Sequence, residues 1–228
     1  TYHGEKAFTS GPVYVGAIIC FLFVLGLLIV QGPYKWALLA ATLFSIALAW
    51  GRNLMWFTEL FFNYFPMYSK FRAVESILVV AEITMPLLAI LALQQIINKS
   101  IVWKQLQKYL FISGGITAGI CLFFALFGGI VDITSSYDSQ WTSQVPAWLK
   151  DAILEQRTAM IKADAWRSFI FIALGFAVVY WYAWQTQKAD QPKHNYILYG
   201  ALFVLVLADM IPVNKRFFGN DHFARAKE

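Results

Sequence analysis

The stretch Tyr109–Val131, YLFISGGITAGICLFFALFGGIV, contains no charged residue from end to end. A bilayer core of about 30 Å takes about 20 apolar residues in helical form, so this stretch reads as a membrane-crossing helix. Five further apolar runs flank it: Val13–Val30, Trp36–Trp50, Ile77–Ile97, Phe169–Trp184 and Tyr196–Ile211. Trp or Tyr at the ends of the shorter runs extends them into the head-group layer. The expected fold is an all-α, polytopic transmembrane helical bundle of about six spanning helices, over 13–30, 36–50, 77–97, 109–131, 169–184 and 196–211, forming one domain over 1–228.

Composition agrees. The chain is 59% hydrophobic and 14% charged, with mean hydropathy +0.57, whereas a soluble domain carries about 25% charged residues. Ala17–Val30 is apolar on every face, where a soluble bundle helix keeps a polar stripe. The net charge is +5. Cys20 and Cys121 fall inside apolar runs, and His3, His194 and His222 are scattered, so neither a disulfide framework nor a metal site is legible. No phosphate-binding glycine loop occurs. No cofactor, metal or nucleic-acid partner is expected. The opening Thr1-Tyr2-His3-Gly4 and the charged end Asp221–Glu228 read as the edges of a segment cut from a longer chain.

Alternating helix directions divide the breaks between two faces. Face one holds Gln31–Lys35, Asn98–Lys108 and Gln185–Asn195, all short, with six lysines against the single acid Asp190. Lysine density in short loops marks the cytoplasmic side, so face two is extracytoplasmic. Face two holds Gly51–Ser76, the long break Asp132–Ser168 and every arginine: Arg52, Arg72, Arg157, Arg167, Arg216 and Arg225. The plain reading is surface solubility. The functional reading is that the planar guanidinium fork grips carboxylate or phosphate in two-point fashion.

Two face-two segments read as interfacial helices. One covers 53–67, rich in aromatics (Trp56, Phe57, Phe61, Tyr64) and ended by Pro66. The other covers 146–165, opening on Pro146 and lying as a cover on the membrane surface, or serving as a plain connector.

Ionisable residues inside spans are costly and usually face protein or a wet cavity. Glu82 lies about two turns into the third span and Asp209 about one turn before the end of the sixth. Arg72, Glu75, Val79, Glu82 and Pro86 share a helical stripe, so a cluster of Arg72, Glu75, Glu82 and Asp209 is geometrically feasible. The bland alternative is that both acids bond a neighbouring helix, with Glu82 satisfying a carbonyl freed by Pro86. Gly115 and Gly119 form a GxxxG, expected to serve internal packing rather than dimerisation.

Three stretches resemble the YfhO-type bacterial membrane proteins, especially those of Bacteroidetes: Phe8-Thr9-Ser10-Gly11-Pro12-Val13-Tyr14-Val15-Gly16, Tyr64-Phe65-Pro66-Met67-Tyr68-Ser69-Lys70-Phe71-Arg72, and Ala208-Asp209-Met210-Ile211-Pro212-Val213-Asn214-Lys215-Arg216-Phe217-Phe218. That family looks like a branch of the GT-C membrane glycosyltransferases. The resemblance implies a multi-pass protein of the bacterial inner membrane, a polyprenyl-phosphate-linked sugar as donor, and an envelope glycan or polymer as acceptor. It implies phosphate contact by Lys70, Arg72, Lys215 and Arg216. An inverting transfer also needs a carboxylate base. In GT-C enzymes that acid usually lies in the first extracytoplasmic loop, which this chain appears to lack. Glu75, Glu82 and Asp209 are therefore catalytic candidates on local chemistry alone, and the segment by itself is expected to be inactive without the rest of its chain. The rival classes are a transporter or channel using Glu82 and Asp209 as a relay, and a non-catalytic membrane scaffold.

Overall fold

The computed structural model describes residues 13–66, 68–70, 74–130, 146–188 and 195–216. Among them there are seven α-helices and no strand: α1 (Ala17–Ile29), α2 (Tyr34–Ala49), α3 (Met55–Tyr64), α4 (Val79–Ile97), α5 (Trp103–Phe127), α6 (Ala147–Lys188) and α7 (Asn195–Lys215). Short 3-10 turns at Gly51–Leu54, Tyr68–Lys70 and Val74–Leu78 join α2, α3 and α4, and another, Gly128–Ile130, extends α5. The all-α bundle expected from the sequence is the observed fold.

The number of spans needs correction. Four segments are long and apolar enough to cross a membrane: Glu75–Ile97, Trp103–Ile130, Ala147–Thr186 and Asn195–Lys215. α1 and α2 are shorter apolar helices. At 1.5 Å per residue they reach only about 20 and 24 Å, against a core of about 30 Å. The expected six or so spans thus become four long helices and two short ones.

α1 is interior as well as short. It touches α2, α4, α5, α6 and α7, and its Ile18, Phe21 and Leu25 are wholly buried. The run that is apolar on every face is therefore surrounded by protein rather than by lipid. The four long helices do the opposite and turn large apolar side chains outward: Ile83 and Ile90 on α4, Phe111 and Ile120 on α5, Ile170 and Leu174 on α6, Phe203 and Val204 on α7. An outward surface of this composition suits hydrocarbon and not water.

Close approach within the bundle depends on glycine. A Cβ at Gly26 of α1 would lie 2.8 Å from the Leu88 carbonyl oxygen of α4, and one at Gly114 of α5 would lie 3.0 Å from the Phe176 ring of α6. The GxxxG pair behaves differently from expectation. Gly115 and Gly119 are exposed, with nothing within 4 Å of either added Cβ. Gly114, one residue before the motif, is the glycine that packs internally.

α6 is the second correction. The expected interfacial helix 146–165 and span 169–184 form one continuous helix, Ala147–Lys188. The polarity changes near Ser168, but no Gly or Pro occurs between Pro146 and Gly175 to stop a helix. At about 63 Å, α6 is twice the core thickness, so its charged N-terminal part continues the axis of the span instead of lying flat. The end of α5 accompanies it there, since a Cβ at Gly128 would meet Lys162 Cγ at 3.1 Å.

The segment expected over 53–67 contains α3. It stops at Tyr64, and Phe65 adopts the extended conformation, φ −95° and ψ 120°, that a following proline imposes. No residue of α3 is buried. A ladder of rings ties it to α2, with Phe44 to Phe61 at 5.5 Å and Phe57 to Phe61 at 5.0 Å.

Candidate functional site: a charged ladder at the face-two end

α1 begins inside the bundle, where its first amides have no water to bond. A helix start leaves four N–H groups without intrahelical partners, and at membrane depth each must be satisfied by protein. Asp209 of α7 supplies the acceptor. Its Oδ2 takes a 2.8 Å hydrogen bond from the Ala17 amide, and the carboxylate charge also complements the positive end of the helix. Gly16 makes this approach feasible. The reason is backbone conformation, since its φ of 102° favours glycine; an added Cβ would meet Asp209 Oδ2 only at an ordinary contact of 3.6 Å.

The Tyr14 hydroxyl donates to both Asp209 oxygens, at 3.0 and 2.9 Å. Arg167 of α6 balances the charge, with Nε 3.6 Å from Asp209 Oδ1 and Cζ 5.4 Å from the centre of the Tyr14 ring. Such a placement over a ring adds a cation–π contribution. Asp209 is wholly buried.

From this buried base the charges alternate outward. Arg167 Nη1 lies 3.7 Å from Asp164 Oδ1, and Arg216 donates from Nη1 to Asp164 Oδ2 and from Nη2 to Oδ1, both at 2.7 Å, in a two-point fork. Side-chain exposure rises from 1% at Asp209 through 21% at Arg167 to 39% at Asp164 and 47% at Arg216. Buried Arg167 Nε and Nη1 make no hydrogen bond among the described residues, because both distances to the carboxylates exceed hydrogen-bond length. The Asp164 fork holds the Arg216 guanidinium more firmly protonated than usual, against the opposing effect of burial.

The candidates from sequence separate in this geometry. Asp209 meets Tyr14, Ala17 and Arg167, and neither Glu75 nor Glu82 is among its partners. Among the described residues, then, neither glutamate joins Asp209, and Arg72, the remaining member of the expected cluster, lies outside the described residues. Glu82 is half-buried on α4, and Glu75 is half-buried in the turn leading into it. Lys70 and Lys215 are exposed, and Arg216 is engaged by Asp164. Tyr14, Gly16, Asp164 and Arg167 escaped the sequence reading as site residues. The available signal was a glycine ahead of an all-apolar helix, with a lone acid and an interface arginine on the same face.

At face one, Lys35 Nζ donates to the Leu27 carbonyl near the end of α1 at 3.2 Å. Among the described residues no group of His, Cys, Asp and Glu is arranged to hold a metal.

Fold and site together define a polytopic α-helical membrane protein whose face-two end carries a graded arginine–aspartate ladder. No protein-family model, curated protein or solved structure matches the chain.

Proposed function

We propose that this chain is the membrane segment of a GT-C-like glycosyltransferase, moving a sugar from a polyprenyl-phosphate donor to an envelope glycan or polymer outside the bacterial inner membrane. One observation carries the reading: Arg167, Lys215 and Arg216 gather where the α7 C-terminus meets the charged half of α6. Guanidinium forks there suit a phosphate at head-group depth, and remote binding of the donor orients its reacting end. Exposed aromatics of α3 on the same face, Trp56, Phe62 and Tyr64, suit the polyprenyl chain. Asp209 is a poor choice of base, since it is wholly buried and its oxygens are already hydrogen-bonded. Glu75 and Glu82 keep that candidacy.

The transporter reading weakens for the same reason. A relay needs an acid that can take up and release an ion, and Asp209 is held as a helix cap. Reconstitution into proteoliposomes with a labelled polyprenyl-phosphate sugar separates the classes. Saturable capture of the labelled donor by the protein supports the enzyme segment, which by itself is expected to bind the lipid without turning it over. Ion or proton flux that ignores the lipid contradicts it and favours the transporter.

A further inference from the structure

Asp164 lies between two guanidinium groups. Arg216 grips it with two 2.7 Å bonds from one side, and Arg167 Nη1 stands 3.7 Å from its Oδ1 on the other. Two arginines converging on one oxyanion is the arrangement by which proteins hold a phosphate group. We propose that Asp164 is an internal stand-in for an external phosphate monoester, occupying a two-arginine anion site that opens when a phosphate displaces it.

Three features favour a replaceable occupant over a fixed tie. The Arg216 and Asp164 side chains are 47% and 39% exposed, so the outer side of the site faces the membrane surface and an incoming anion. Arg167 is engaged at less than hydrogen-bond closeness, and its Nη1 makes no hydrogen bond among the described residues. A phosphate has more acceptor oxygens and more negative charge than a carboxylate, so it can bond both arginines at once. Asp209 holds Arg167 from behind through Nε, which keeps the guanidinium in place when Asp164 leaves.

The site would be self-screened. With Asp164 in place the two arginines are largely neutralised, which limits capture of the bulk anionic lipids around the protein. A ligand must offer more than one charge to replace the carboxylate, and this selects a phosphate monoester over a phosphodiester head group. The sugar-linked donor is a phosphodiester and becomes a monoester only when the sugar leaves, so the ligand of this site is the polyprenyl phosphate released by transfer. The proposal deepens the polyprenyl-phosphate reading above and rests on it for the source of the anion.

The test is equilibrium binding of polyprenyl phosphate to the full chain in neutral-lipid nanodiscs, comparing wild type with Asp164→Asn, Arg216→Ala and Arg216→Lys. Thermal unfolding of each variant checks folding. Asp164→Asn removes the competitor while leaving both arginines, so binding should tighten about fivefold, the scale of one like charge removed at contact distance in a wet site. Arg216→Ala should weaken it, and Arg216→Lys should weaken it less. Opposite signs are the signature, because a purely structural ion pair is broken equally by Asp164→Asn and Arg216→Ala. Shifts of the same sign, or no shift in either, overturn the anion site. If wild type still binds saturably in that case, the lipid-phosphate reading stands alone. If neither wild type nor Asp164→Asn binds, both fall. A parallel arm with inorganic phosphate distinguishes the source: equal affinity for it would support the same site serving soluble phosphates, and preference for the lipid supports the polyprenyl carrier left after transfer.

Discussion

Asp209 accepts a 2.8 Å hydrogen bond from the amide of Ala17, so the last helix of the bundle caps the start of the first. The contact joins residues 192 positions apart in the chain. It explains why a carboxylate occurs in an apolar helix and why α1 can begin within the protein. A helix start at that depth needs an acceptor, and the acceptor's charge needs Arg167.

Removing one member of a buried charge pair leaves the other uncompensated, which costs about 3–5 kcal/mol. Asp209→Ala should therefore lower stability by that order, since it also strips the cap from α1. Asp209→Asn should cost less, because its amide oxygen can still accept from Ala17. Tyr14→Phe should cost about 1 kcal/mol, the net value of one hydrogen bond. Unfolding of the purified protein in detergent, followed by circular dichroism, gives the order; equal stability of all three variants would contradict the cap.

Glycine substitutions should separate interior from surface. Gly26→Ala drives a methyl to 2.8 Å from the Leu88 carbonyl oxygen and side chain, and overpacking of this kind costs about 1–3 kcal/mol. Gly115→Ala and Gly119→Ala meet open space and should leave the fold intact, with changes within about 0.5 kcal/mol. Thermal unfolding of the three variants checks the contrast.

The continuity of α6 is open to a proline test. Ala165→Pro falls at the join between the charged half and the apolar half of one helix. A proline in a helix interior costs about 3 kcal/mol or more. If a loop joined a separate surface helix to the span there, the change would be close to neutral. Unfolding midpoints of Ala165→Pro and Ala165→Ser distinguish the two.

Sidedness follows from the same helix order. In a background lacking Cys20 and Cys121, Lys150→Cys and Lys215→Cys should react with a membrane-impermeant thiol reagent from one side. Lys104→Cys should react from the other. Labelling of all three from a single side would contradict the arrangement of the spans.

Much of this was legible in the sequence, and the exceptions have physical causes. Long charge-free runs such as Tyr109–Val131 announce themselves, because the bilayer imposes both length and polarity. Pro66 marked the end of α3 correctly, since its effect is local. The join in α6 was misplaced because polarity changes at Ser168 while helix propensity does not. α1 was read as a span because an interior helix and a lipid-facing one share the same apolar composition. What separates them is its partners, and these are set by tertiary packing. The acid Asp209 was visible as an anomaly, but its partners Tyr14, Ala17 and Arg167 lie far away in sequence. No periodicity along one helix reports a contact between three.

The proposed function rests on recognition of a phosphate-bearing polyprenyl lipid at the face-two end of this bundle. Its most direct test compares binding of polyprenyl phosphate with binding of the uncharged polyprenol, by the purified full chain in nanodiscs, at low and high salt. Saturable binding of the phosphate, weakened by salt and by Arg216→Ala, is the expected result, with polyprenol showing only partition into the lipid. Equal uptake of both lipids, indifferent to salt and to Arg216, would contradict it.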